Sequence, residues 1–273
     1  MDERVNQFAG QAKGLARDTN DHPAVEAAAR VGYAANGVVH LLIAWAAPGI
    51  AWTPAAGGSA DQSGALAEVA AQPWGRPLLW VIVAGFAGLA LWQLTEAIGG
   101  WHPGGRDGAA ARVKALGKMA AYLALGWTAA TFARGGSSDS TTQTTGATAT
   151  LLETPGGRVL VAILGLAVVG IGAYHVVKGV KKKYLEDLVA DPGPVAEQAG
   201  RYGYVAKGVA LAVVGGLFLA AALHANAAEA RGLDGALRTL AGTAYGPYLL
   251  TLVALGIGAY GVYSFFRARY TTF

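Results

Sequence analysis

Val31-Gly32-Tyr33-Ala34-Ala35-Asn36-Gly37-Val38-Val39-His40-Leu41-Leu42-Ile43-Ala44-Trp45-Ala46-Ala47-Pro48-Gly49-Ile50 is broken only by Asn36 and His40 in its apolar character. At about 1.5 Å per residue, a helix of this length covers the ~30 Å hydrocarbon layer of a bilayer. The stretch is a transmembrane candidate, and the chain repeats it. Gly32-Tyr33-Ala34-Ala35-Asn36-Gly37 returns as Gly203-Tyr204-Val205-Ala206-Lys207-Gly208, and a degraded copy begins at Gly117, at spacings of 85 and 86 residues. A second signature follows each copy: Ser63-Gly64-Ala65-Leu66 with Gly75, Thr145-Gly146-Ala147-Thr148 with Gly157, and Asp234-Gly235-Ala236-Leu237 with Gly246. Its two glycines always stand 11 residues apart. Repetition at a fixed period decides the architecture before any single residue does.

Five further stretches have the length and apolar character of a span, at residues 78–94, 115–133, 159–177, 202–223 and 247–266. Those at 115–133 and 202–223 contain Lys118 and Lys207. Whole-chain composition agrees with a lipid solvent. Hydrophobic residues make up 53% and charged residues 14% of the 273, against about 25% charged in soluble domains. The expectation is an all-α polytopic membrane protein. Its six transmembrane helices form three parallel two-helix repeats at 27–99, 112–183 and 199–269, related by a pseudo-threefold axis along the membrane normal. An amphipathic segment at 1–22, with Val5, Phe8, Ala12, Leu15 and Ala16 at helical spacing, is expected on the cytoplasmic leaflet.

Orientation follows from Lys and Arg, which collect in cytoplasmic loops. Of 21 such residues, 14 fall on the side that holds both termini, five on the other, and Lys118 and Lys207 within spans. Both termini are expected in the cytoplasm. The first span reads as permanent rather than as a cleaved signal, because its equivalent returns late in the chain. The absence of cysteine excludes disulfides, thiolate metal sites and cysteine nucleophiles.

Within each repeat, Ser63, Thr145 and Asp234 precede the aligned glycine, where a side-chain oxygen can cap a short external helix. Trp74 and Tyr245 in the following turns suit the headgroup layer. The Ser-, Thr- and Gly-rich segment 135–150 reads as a flexible external loop. The second span of each repeat carries a stripe on one helical face. It comprises small residues (Gly85 and Gly88, Ala167 and Gly170, Gly256 and Ala259), then an aromatic (Trp92, Tyr174, Tyr263), then a charge (Glu96, Lys178, Arg267). Small residues let helix backbones approach, so the stripe reads as a packing seam rather than a cofactor box.

Polar groups inside spans cost about 2.5–3.5 kcal/mol for a central charge on insertion scales, and they mark candidate sites. His40, with Asn36 one turn earlier on the same face, is the main one, open to an interhelical hydrogen bond or to a ligand, lipid or proton site. Lys207 and His175 complete the candidate polar set. Lys207 and Lys118 can also snorkel to the interface. Lys181, Lys182 and Lys183 read as a topology anchor and as lipid-headgroup contacts. No HExxH, Gly-x-Ser-x-Gly or phosphate-loop motif occurs. The depths of His40, His175 and His224 do not suit paired haem ligation. No catalytic residue, metal or cofactor is expected.

The phrases Ala29-Arg30-Val31-Gly32-Tyr33-Ala34-Ala35-Asn36-Gly37-Val38-Val39-His40, Ala60-Asp61-Gln62-Ser63-Gly64-Ala65-Leu66 and Gln72-Pro73-Trp74-Gly75-Arg76, with the threefold repetition, carry a resemblance. The chain resembles the bacterial membrane-protein family catalogued as domain of unknown function 1206, whose members have three copies of a two-helix unit. The resemblance covers nearly the whole chain after about His22 and departs most in the second unit, where Lys118 stands for the tyrosine and Tyr122 for the second glycine. It implies the architecture and a multi-pass place in the bacterial plasma membrane, and it supplies no activity or catalytic residue. The expected function is that of a non-catalytic accessory or scaffold protein packing against membrane lipids or another membrane protein, with no nucleic-acid partner. The alternatives are a transporter or channel for a small molecule, lipid or ion around His40 and Asn36, and an intramembrane enzyme resting on the same two residues.

Overall fold

The computed structural model describes residues 22–53, 58–99 and 109–271; of the segment expected at 1–22, only His22 lies within them. Among the described residues stand nine α-helices: α1 (Pro23–Trp52), α2 (Gln62–Ala70), α3 (Gly75–Gly99), α4 (Ala109–Ala133), α5 (Ser140–Leu152), α6 (Gly157–Val180), α7 (Gly193–His224), α8 (Gly232–Ala241) and α9 (Gly246–Tyr270). Each repeat supplies two long helices joined through a short one. Five long helices, α1, α3, α6, α7 and α9, have the length and apolarity to cross a membrane. The sixth expected span, α4, has 25 residues but is less apolar, because Arg112, Lys114 and Lys118 occupy its first half and Thr128 and Thr131 its second.

Helix starts follow local chemistry. His22 accepts from the Ala24 N–H at 3.2 Å, and Pro23 occupies the first turn of α1, where a missing N–H costs nothing. Asp61 caps α2 by accepting from Gly64 N–H at 2.9 Å, and Asp139 caps α5 by accepting from Thr142 N–H at 2.6 Å. The expected caps are therefore displaced, because the helices begin earlier than the aligned glycines suggest. Ser63, Thr145 and Asp234 sit inside the helices instead. Segment 135–150 is likewise mostly helix, α5, rather than loop. Its threonines return their hydroxyl protons to carbonyls one turn back, as Thr144 does to Ser140 O (2.7 Å) and Thr148 to Thr144 O (2.8 Å). A Thr-rich stretch can thus satisfy itself within a helix once the end is capped.

The displaced residues tie one unit to the next. Ser63 accepts from the Ser140 N–H at 3.1 Å, and Asp234 accepts from the Ala60 N–H at 3.0 Å while holding Arg238 at 2.7 Å.

Side by side, the long helices run in the order α4, α3, α1, α9, α7, α6. The broadest shared faces are α6 on α7, α9 on α1 and α3 on α4, each joining one repeat to another. Helices of one repeat meet less extensively, α1 with α3 and α7 with α9. A closed threefold ring would also pair α4 with α6, and among the described residues these two share no broad packed face, meeting only where Lys114 approaches Tyr174. The expected threefold arrangement is interrupted at this point, inside the second repeat.

Close backbone approach makes the broad faces possible. A Cβ on Gly172 would lie 2.7 Å from the Gly208 carbonyl oxygen, and one on Gly208 would lie 2.6 Å from that of Gly172. Gly165 with Gly215 and Gly37 with Gly261 are reciprocal in the same way. No residue with a side chain fits at these crossings, where packing rather than hydrophobicity drives association in lipid.

Candidate functional site

Where α1, α7 and α9 meet, a buried polar group forms around His40. His40 is 7% exposed, and its Nδ1 lies 2.8 Å from the Asn36 carbonyl. A carbonyl only accepts, so Nδ1 carries the proton and Nε2 is left as an acceptor. Lys207 Nζ donates to it at 3.4 Å. The same ammonium sits 4.0 Å from the ring centroid of Tyr260, which lies 4.8 Å from the His40 ring. Asn36 donates through Nδ2 to Ser264 Oγ at 3.1 Å, and Ser264 passes its own proton to the Tyr260 carbonyl at 2.9 Å. Three helices from two repeats thus satisfy one another's polar groups, as groups buried away from water require. His175 stands apart from His40. Its Nδ1 donates to the Ile171 carbonyl at 2.8 Å, and its ring stacks on Tyr204 at 5.6 Å. Tyr204 packs edge-on to Tyr260 at 5.3 Å, so rings bridge His175 to the His40 group.

Below this group, toward the end opposite the short helices, lies a layer of tyrosines and charges. Tyr184, Tyr204, Tyr260 and Tyr263 form one buried cluster, with Tyr263 donating to the Tyr184 carbonyl at 2.8 Å. The charged end of each stripe meets the first helix of the following repeat. Arg267 donates to Tyr33 Oη at 3.0 Å, its guanidinium 4.3 Å from that ring. Lys178 lies 5.2 Å from the Tyr204 ring and pairs with Asp187 at 2.6 Å. Glu96 faces Lys118 at 3.9 Å. Burial pushes the Asp187 carboxyl up, but the charges of Arg267 and Lys178 outweigh burial and hold it below the usual carboxylate range. Burial, with Glu197 nearby, raises the Tyr184 phenol.

Seam residues divide by repeat. On α3, Gly85 packs against Gly32 (2.7 Å from a Cβ to its nitrogen) and Gly88 against Ala28. On α9, Gly256 packs against Ala206, and Ala259 is half-buried. On α6 the equivalent Ala167 and Gly170 are exposed, and a Cβ on Gly170 would meet nothing within 4 Å. The expected seam is absent there because α4 does not lie against α6, whose packing glycines are Gly165, Gly172 and Gly179 on another face. Tyr174, the aromatic of that stripe, is likewise exposed, with Lys114 of α4 5.5 Å from its ring. Lys181, Lys182 and Lys183 are exposed, and Lys182 pairs with Glu197.

The sequence reading missed Tyr184 and Asp187. Tyr184 follows three lysines, and its full burial depends on α7 and α9 arriving from elsewhere in the chain. The seven-residue spacing of Gly165, Gly172 and Gly179, matched by Gly208 and Gly215, was the legible sign of the α6–α7 face.

The family described as Domain of Unknown Function (DUF1206) matches three times, at residues 31–100, 113–182 and 202–271. The chain belongs to this family. An uncharacterized protein of Bacillus subtilis (strain 168), YxxB, is 28% identical over 255 residues, covering 91% of this chain and 92% of the relative. No solved structure matches. The three matches are equal in length, which corrects the register of the second repeat. Lys118 is equivalent to Asn36 and Lys207 rather than to the tyrosine, and Ala115, buried like Tyr33 and Tyr204, takes the tyrosine's place. The degraded copy at Gly117 is not the true alignment. Each repeat therefore places one polar side chain, Asn36, Lys118 or Lys207, at the same level of its first helix.

Proposed function

We propose that this DUF1206 member is a non-catalytic accessory or scaffold protein of the bacterial plasma membrane. It crosses the bilayer six times with both termini in the cytoplasm, and it works by packing against another membrane protein or against lipid. In this reading α4 is the sixth span, with Lys114 and Lys118 near its cytoplasmic end, where their stems can carry the charge toward the headgroups. Three parallel repeats then stand about a pseudo-threefold axis that is broken in the second repeat. No enzymatic role and no nucleic-acid partner belong to the proposal.

The observation that supports it is the bare seam of α6. Ala167, Gly170 and Tyr174 occupy the positions that α3 and α9 use to receive a helix, yet here they are exposed. Small residues facing lipid forgo the packing for which they suit a helix interface. A photo-crosslinking residue at Gly170 should give a discrete protein or lipid adduct in intact cells, and Ala167→Leu should suppress it. An adduct pattern at Gly170 identical to that at Leu252, on the exposed face of α9, would remove the reading.

A second reading, a transporter for a small molecule, lipid or ion, is favoured by the Lys207–His40–Asn36–Ser264 hydrogen-bonded line inside the bundle. Flux into proteoliposomes that disappears in Lys207→Met would support it; flux unchanged by that substitution would not.

A further inference from the structure

The face of α1 opposite His40 lines a groove of about 790 Å³ between α1, α2 and the start of α3. Val38, Leu42 and Trp45 form its apolar wall, and Glu68, Gln72 and Trp74, on α2 and the turn that follows, form its polar mouth. The lining runs along α1 from Val38 to Ile50, which at ~1.5 Å per residue is about 18 Å. Half of a bilayer's hydrocarbon layer is about 15 Å, so the wall matches one leaflet and its mouth sits where a headgroup would lie. Gly49 lines the groove, and a Cβ there would meet nothing within 4 Å among the described residues. The space is thus open to a chain alongside the helix.

Charge at the mouth selects among lipids. Among the described residues no lysine or arginine lines the groove; Arg238, which donates to the Gly58 carbonyl at its edge, is already paired with Asp234, whereas Glu68 is exposed and makes no ion pair. A headgroup with net negative charge meets an uncompensated carboxylate there. A primary ammonium meets that carboxylate, the Gln72 amide and the exposed face of Trp74, which favours a cation. We infer that this groove holds a phospholipid of the leaflet on the short-helix side and selects it for a primary-amine headgroup. The inference rests on the membrane reading above and adds the class of lipid.

The test uses the full chain, delipidated in detergent and reconstituted in nanodiscs of equal phosphatidylethanolamine and phosphatidylglycerol, with lipids retained after gentle release read by native mass spectrometry. Wild type should retain phosphatidylethanolamine over phosphatidylglycerol by roughly tenfold. Glu68→Gln should bring the two within about twofold, and Gly49→Trp, which fills the groove, should abolish the retained lipid with an unchanged melting temperature. Equal retention of both lipids by wild type, or a Gly49→Trp protein that retains phosphatidylethanolamine like wild type, overturns the site and leaves the membrane reading standing. A chain recovered without detergent and without any lipid overturns both.

Discussion

Glu96 and Lys118 meet at the one boundary between repeats where the stripe ends in an acid. At the other two boundaries a cation meets a tyrosine, Arg267 with Tyr33 and Lys178 with Tyr204. The second repeat has Ala115 at the tyrosine's position, and there the acid that ends the preceding stripe faces Lys118 instead. The pair is therefore a charge match rather than two separate oddities. Glu96→Lys alone should set two cations together and lower the melting temperature. The double exchange Glu96→Lys with Lys118→Glu should recover most of the loss, because residues in contact couple by about 0.5–3 kcal/mol. Thermal unfolding of the four proteins in one detergent decides it, and additive losses would break the pairing. His40 and Asn36 were legible as a site because a polar residue in an apolar run is conspicuous by itself. Lys207 was legible for the same reason, but its contact with His40, and the roles of Tyr260 and Ser264, were not, because more than 160 residues separate these partners in the chain.

Among elements, the decisive distinction lies between two faces of α6. A Cβ on Gly172 would strike the Gly208 backbone, whereas one on Gly170, two residues away, would meet nothing within 4 Å among the described residues. Gly172→Leu should push α6 from α7 and lower detergent stability sharply, while Gly170→Leu should leave it near wild type. Comparable melting temperatures for the two variants would refute the assignment of faces. Gly256→Leu should behave like Gly172→Leu, since its Cβ would strike Ala206. The repeat in sequence pointed to one of these faces, the stripe of Ala167 and Gly170. It could not show that the second repeat leaves that face empty, because the stripe Ala167, Gly170, Tyr174 and Lys178 reads the same whether or not a helix covers it. The Thr-rich segment was misread for a related reason. Composition suggested a loop, and the single side chain that starts α5, Asp139, lies just before the run that dominates the composition.

For the molecule as a whole, topology is the expectation most open to direct measurement. Ser138 follows α4 on the short-helix side and Asp191 precedes α7 on the other. In intact cells a cysteine at Ser138 should react with an impermeant thiol reagent and one at Asp191 should not; labelling at Asp191 would overturn the orientation. The pairing of helices also has a consequence for synthesis. The broadest companion of α1 is α9, more than 190 residues later in the chain, and Arg30 of α1 donates to the Ala268 and Arg269 carbonyls at 2.7 Å. Until α9 has been made, the first helix lacks both its broadest contact and the Ser264 hydroxyl that answers Asn36. A ribosome halted before α9 would leave the Asn36 amide without Ser264, facing lipid or whatever insertion machinery shields it until that helix arrives.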